Sequence, residues 1–172
     1  LNMKGVSFYV QVQKNEHLGT TGISDIEYQC QISAKEPKRP ISKVASGGEL
    51  SRILLSLKKA LGESELPRTY LFDEVDTGVS GNTAEKVGKK LKSIAKGQQV
   101  ICVTHLPQVA ACGDVHFSIN KSLSQDAVNM NVTELKSKLR IAEIARLISG
   151  EKITETSLAH AEQLLSESLG SF

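Results

Sequence analysis

The spacing of apolar residues shifts between two periods along this chain. Near the N-terminus it alternates. Val6 to Val12 reads V-S-F-Y-V-Q-V, and Ile26 to Ile32 alternates with Tyr28 and Cys30 on the apolar side. A period of two predicts two strands. The polar, glycine-bearing stretch KNEHLGTTGISD between them reads as a long hairpin loop, and AKEPKRPIS as an irregular, solvated connection. After Gly47-Gly48 the period lengthens. Leu50, Ile53, Leu54, Leu57 and Leu61 fall at helical spacing, with Gly62 as the stop. Thr69 to Phe72 is a short apolar run that ends in Asp73-Glu74. Asn82 to Ala95 reads as a second helix with lysines on its outer face. QVICVT, residues 99–104, is almost wholly apolar, which predicts a central strand buried on both faces. His116 to Asn120 and Val128 to Leu135 read as a further strand pair. Leu139 to Ile148 and Ser157 to Leu169 read as amphipathic helices parted by Ser149-Gly150.

Strands alternating with helices place the chain in the α/β class, with an antiparallel strand pair at the N-terminus. Its 172 residues are enough for one real core. A hydrophobic content of 40% and a charged content of 23% are those of a soluble globular protein. A net charge of +2 is too small for a dedicated nucleic-acid surface. No apolar run approaches the roughly 18 residues of a membrane span. The start, LNMKGVSFYV, lacks the layout of a signal peptide. Cys30, Cys102 and Cys112 have no metal-type spacing, and an odd count argues against a disulfide framework. Together these point to a reducing, cytoplasmic compartment, with Cys102 a small buried hydrophobe.

Three short stretches carry candidate chemistry. In YLFDEVD, residues 70–76, an apolar strand delivers two carboxylates to its C-terminal edge, where open α/β sheets bind ligands. Asp73 suits a hydrated Mg²⁺, which needs few protein ligands, and Glu74 suits orienting and deprotonating a water. Alone, the pair is equally an acidic turn before a helix. Thr104-His105 closes the next apolar strand, so His105 emerges at the same edge, able to donate a hydrogen bond to a phosphate oxygen. In KVASGGELSR, residues 43–52, Ser46, Gly47, Gly48 and Glu49 form a helix start. Free N–H groups and the positive dipole end there bind anions, and bare glycines admit a phosphate. Alone, that stretch is also an ordinary helix start capped by Ser46.

The order of these pieces resembles the second half of an ATP-binding-cassette ATPase head. SGGEL is similar to the signature motif, YLFDE to the Walker B strand, VDTGVSG to the D-loop region, and His105 to the switch histidine. The longer spellings KVASGGELSR, FDEVDTGVSG and THLPQVAA, and the tail IARLISGEKITETSLAHAEQLL, resemble the RecN family of bacterial DNA-repair proteins, relatives of the structural-maintenance-of-chromosomes (SMC) ATPases. The resemblance implies the C-terminal lobe of a P-loop NTPase head with a largely parallel sheet. Residues 1–40 would form the strand pair and linker, 41–135 the motif-bearing core, and 136–172 the terminal helices. It also implies ATP and Mg²⁺ as cofactors of the complete head dimer. Asp73 would hold the metal, and Glu74 and His105 would be catalytic. Ser46, Gly47, Gly48 and Glu49 would contact the γ-phosphate bound to a partner head, and Asp76 would reach across the interface. The implied partners are an N-terminal lobe, a second copy across two sandwiched nucleotides, and DNA, in a bacterial, nucleoid-associated setting without a membrane.

A phosphate loop, G-x-x-x-x-G-K-[ST], is not found in these 172 residues. Gly88-Lys89-Lys90 comes nearest, but Thr83 and Lys90 stand where a Gly and a Ser/Thr are required. The expectation is a fragment without ATPase activity of its own, carrying an uncovered apolar edge that favours self-association. Two other readings stay open: another cassette ATPase, and a non-catalytic interaction domain that kept the fold. Two basic clusters, Lys35, Lys38, Arg39 and Lys43, and Lys86, Lys89, Lys90 and Lys92, offer phosphate contacts or simply solvated faces.

Overall fold

The computed structural model describes residues 5–43, 47–60, 66–124 and 127–169. The expected helix stop at Gly62, with Leu61, and the cap residue Ser46 lie outside the described residues.

The N-terminal hairpin is longer than the alternation predicts. Strand β1 (Ser7–Gly19) pairs antiparallel with β2 (Gly22–Gln31), and the ladder runs from Ser7↔Gln31 through Lys14↔Ser24. An irregularity separates Lys14 from Gly19, and the chain reverses between Gly19 and Gly22. The polar stretch taken for a loop is therefore mostly strand. Backbone pairing needs no apolar residues, and a two-stranded ribbon leaves both faces in water. On one face Phe8, Val10 and Val12 stand opposite Cys30, Tyr28 and Ile26. Phe8 and Tyr28 stack there, with ring centroids 5.8 Å apart. Cys30 alone of these six is buried. The short strand β3 (Arg39–Pro40) adds to β2, and a single 3-10 turn (Ile41–Lys43) follows.

The central unit is a helix followed by a strand–helix–strand crossover. Helix α1 (Gly47–Ala60) precedes β4 (Thr69–Phe72), and α2 (Gly81–Ile94) carries the chain back to β5 (Gln99–Cys102). β4 and β5 are parallel, in the register Thr69↔Gln99 to Phe72↔Cys102. The expected parallel pairing is present, as the pair β4–β5. Phe72 and Val75 pack with Leu55 of α1, with Ala84, Val87, Leu91 and Ile94 of α2, and with Val109. The expectation that QVICVT is buried on both faces does not hold. Val100 and Cys102 turn to this core, but Ile101 and Val103 are 47% and 52% exposed, and Leu71 beside them is 69% exposed. Both helices cover the same face of the pair.

The stripe that buries α1 is also rotated from the expected one. Gly48, Arg52, Ile53 and Leu55 are buried, and Leu54 is half exposed. Arg52 takes an inward position because its guanidinium has carbonyl partners there.

Helix α3 (Pro107–Ala111) follows β5 directly, with proline at its first turn, where a missing N–H costs nothing. The strands β6 (Phe117–Ser124) and β7 (Ala127–Glu134) form the expected antiparallel pair. Helices α4 (Ser137–Ser149) and α5 (Glu155–Leu169) pack Ile144, Ala145 and Ala161 against Ala111 of α3. The α5 helix starts earlier than expected because Thr154 caps it. The Thr154 N–H donates to Ser157 Oγ at 2.9 Å, and the Ser157 N–H donates to Thr154 Oγ1 at 3.1 Å. Arg140 of α4 closes the other end of α3, donating to the carbonyls of Ala111 at 3.1 Å and Gly113 at 2.6 Å.

Candidate functional site

The loop from Asp73 to Val79 joins β4 to α2, and three distant parts of the chain meet on it. It is internally braced by the Thr77 N–H to Glu74 O bond at 3.0 Å and the Val79 N–H to Asp76 O bond at 3.2 Å. Glu74 takes a φ of +55°, a left-handed conformation uncommon outside glycine. Such a conformation persists only where the surroundings enforce it. Asp73 and Glu74 are exposed at the strand end, while Val75 and Asp76 are buried.

Helix α1 grips this loop through backbone carbonyls. Ser51 Oγ donates to Asp73 O at 3.1 Å. One guanidinium nitrogen of Arg52 donates to Thr77 O at 2.8 Å and Val75 O at 3.4 Å. Gly48 explains why the helix begins without side chains. A Cβ there would stand 2.9 Å from Glu74 O and 3.0 Å from both Cβ and O of Thr77. Its bareness serves contact within the chain. Gly47 is exposed, and a Cβ on it would lie 3.1 Å from Glu74 Oε2. Glu49 is half-buried in the first turn of the same helix.

The end of β5 holds the loop from the other side. The Thr104 hydroxyl donates to Asp76 Oδ2, and the His105 N–H reaches the same oxygen at 3.3 Å. The His105 ring is largely open to solvent, with Nδ1 3.8 Å from Asp76 Oδ2. Asp76 is turned into its own chain, where it is 1% exposed. Burial, with the nearby Asp76 and Asp73 charges, pushes the Cys102 thiol up to about 12, so it stays protonated and inert.

The structure therefore brings Gly47, Gly48, Asp73, Glu74, Asp76 and His105 together around one loop. Arg52 belongs to that set and was not singled out from the sequence. The available signal was a charged residue at i+4 from Gly48, in line with Leu55. The basic helix face is partly neutralised: Lys89 pairs with Glu85 at 2.7 Å, and Lys92 pairs with Asp114. Gly88 lies inside α2, where a Cβ would stand 2.7 Å from Cys112 Sγ; it is a helix-packing glycine, not part of a phosphate loop. No helix among the described residues is long and apolar enough to cross a membrane.

No protein-family model matches the chain. Curated relatives do. The chain is 41% identical over 160 residues to the DNA repair protein RecN of Halalkalibacterium halodurans, covering 93% of this chain and 28% of that protein. It is 37% identical over 171 residues to RecN of Treponema pallidum, covering 96% of this chain and 30% of that protein. It is 40% identical over 166 residues to RecN of Vibrio cholerae, again 96% of this chain and 30% of that protein. The chain thus spans about 30% of the length of the curated relatives it matches. Among solved structures, the Smc head domain with a coiled coil and joint from Pyrococcus yayanosii superposes with a TM-score of 0.59 at 19% identity, over 86% of this chain and 27% of that one. A chain from a study of ATP-driven dimerization and DNA-stimulated activation of SMC ATPases superposes with a TM-score of 0.52 at 19% identity, over 87% of this chain and 85% of that one. At these identities the likeness is one of fold. The motif-bearing loop, the strand–helix–strand unit around it and the sequence relatives agree: this chain belongs to the RecN family, as a stretch with the fold of an SMC-type ATPase head.

Proposed function

We propose that this segment supplies the signature helix, the acidic strand end and the switch histidine of an ATP-hydrolysing RecN head that acts in bacterial DNA-break repair. One observation carries the reading: the α1 start, the β4 end and the β5 end converge on residues 73–79. Asp73 is the residue for Mg²⁺. Its carboxylate is exposed at the strand end, and its carbonyl is already taken by Ser51. Among the described residues no group of three His, Cys, Asp or Glu forms a metal cage. A sparse donor set of this kind fits a hydrated Mg²⁺ that arrives with nucleotide phosphates. When bound, such an ion neutralises charge on the β- and γ-phosphates.

Glu74 orients the attacking water and takes its proton as the water oxygen bonds to the γ-phosphorus and the bridging bond to the β-phosphate breaks. His105 donates a hydrogen bond to the γ-phosphate within the same head. Ser46, Gly47 and Glu49 present the α1 N-terminus to a nucleotide held by a partner head, the positive dipole end facing its phosphates. Gly48 supports that surface by fitting α1 to the loop. Partners on this reading are a lobe carrying the phosphate loop, a second head, and DNA, in the bacterial cytoplasm. The test is complementation. This chain is mixed with a separately made polypeptide carrying the phosphate-loop lobe, and Mg²⁺-dependent phosphate release is followed. Turnover that needs both parts and dies with Glu74→Gln supports the proposal. No turnover from folded, associated parts overturns it.

A further inference from the structure

Three groups at the end of β5 converge on one buried oxygen. Asp76 is 1% exposed, and its Oδ2 accepts from the Thr104 hydroxyl and the His105 N–H and lies 3.8 Å from His105 Nδ1. The Thr104 oxygen in turn accepts the Leu106 N–H at 3.0 Å, where α3 begins. The strand end, the histidine backbone and the next helix are thereby tied to one carboxylate. A buried carboxylate is costly, so a neutral acceptor would be the cheaper way to close a strand. A charged acceptor holds its donors about twice as strongly as a neutral one. Beyond those two donors, the imidazole of His105 brings a further potential donor toward the same oxygen, its Nδ1 at 3.8 Å.

We propose that Asp76 is a positioning residue for His105. It draws the Nδ1 edge of the ring inward as the proton-bearing side and leaves Nε2 as the outward nitrogen, on the edge that carries Asp73 and Glu74. The ring is 72% exposed, so most of its surface faces solvent. An imidazole without an inner partner turns about its side-chain bonds and offers either nitrogen. One held at Nδ1 offers a single nitrogen in a single place, which is how an inner partner sets the tautomer of a functional histidine. The catalytic purpose rests on the function proposed above; the arrangement itself lies wholly within this chain.

The test reads the ring directly. The chain is labelled with ¹⁵N-histidine, the signals of its four histidines are separated, and that of His105 is assigned by its loss in His105→Gln. The neutral ring is expected mainly as the Nδ1–H tautomer. Asp76→Asn shifts it toward Nε2–H, and Thr104→Ser, which keeps the hydroxyl, leaves it in place. A wild-type ring found mainly as Nε2–H overturns the proposal without any variant. So does an Asp76→Asn chain that folds and keeps the wild-type tautomer. In a full-length RecN carrying this segment, Asp76→Asn lowers kcat about tenfold with little change in KM. A tautomer shift in a protein with no ATPase activity even before substitution would sink the functional reading and leave the positioning role standing.

Discussion

Gly48 and Glu74 touch so closely that no side chain fits between them: a Cβ on the glycine would stand 2.9 Å from the glutamate carbonyl oxygen. The obstacle is backbone, which cannot swing aside. Gly48→Ala therefore lowers stability by about 1–3 kcal/mol, the ordinary cost of overpacking. Gly47→Ala meets only the tip of the Glu74 side chain and leaves the urea midpoint almost unchanged. Urea unfolding of both variants checks the contrast. Equal losses at both positions would show that the contact is not what the glycines serve.

Arg52→Met tests the grip of α1 on the loop. It keeps the aliphatic volume but leaves the Val75 and Thr77 carbonyls without their donor. Stability falls by roughly 2–4 kcal/mol, since a buried group stripped of its partner loses more than the bond was worth. Denaturant unfolding with an unchanged m-value is the expected record.

Glu74 separates stability from chemistry. Glu74→Gln keeps the side-chain shape and the positive φ, so the thermal midpoint stays where it was. In the complemented ATPase, turnover falls at least about 100-fold, the scale of a lost general base. Glu74→Gly relaxes the backbone and raises stability by about 1 kcal/mol while abolishing turnover. A loss of stability in Glu74→Gly would show that the left-handed conformation is not strained.

Acid acts through His116. Burial first, and the Arg140 charge second, hold its imidazole below the ordinary 6.5, against a smaller opposing pull from Glu143. The unfolded ring takes a proton that the folded ring resists. Stability is therefore full above the unfolded value and declines as pH falls through about 6.5 toward the lowered folded value. His116→Gln flattens this decline as pH falls below the ordinary histidine value of about 6.5. The Glu143 carboxyl, held low mainly by its hydrogen bond from Arg146, contributes stability lost only at more acidic pH, so the windows separate. Urea titrations at stepped pH read both.

The open face of the β4–β5 pair predicts association. Leu71 and Ile101 lie in water on adjoining strands, with Val103 just past the end of β5. Light scattering of this chain is expected to show mass rising with concentration. Leu71→Lys combined with Ile101→Lys restores the monomer mass. A monomer at every concentration in the parent chain would contradict this.

Much of the architecture was legible because local patterning and tertiary structure agree in it. The Val87–Leu91–Ile94 stripe of α2 and the apolar ends at Phe72 and Cys102 face the core as periodicity predicts. The strand ends Asp73-Glu74 and Thr104-His105 do share an edge, as parallel pairing requires. What stayed hidden depends on partners that no single stretch displays. Residues 14–25 are polar, yet ladder bonds make them mostly strand. Arg52 carries a charge, yet two loop carbonyls draw it inside. Asp76 is written like an exposed turn residue, and only Thr104 and His105, 28 and 29 positions later, explain its burial. The bare backbone at Gly48 is equally a long-range fact, set by Thr77 and Glu74.

Residues 73–79, between β4 and α2, are a shared anchorage. Ser51 and Arg52 hold them from one helix, Thr104 and His105 from the end of another strand. Groups that bear on the same short backbone cannot respond independently. In double-mutant cycles, Arg52→Met and Thr104→Val should show a coupling energy although the two side chains share no contact here, because each bears on what the other holds. A helix start and a histidine that belong to different motifs would then answer as one element.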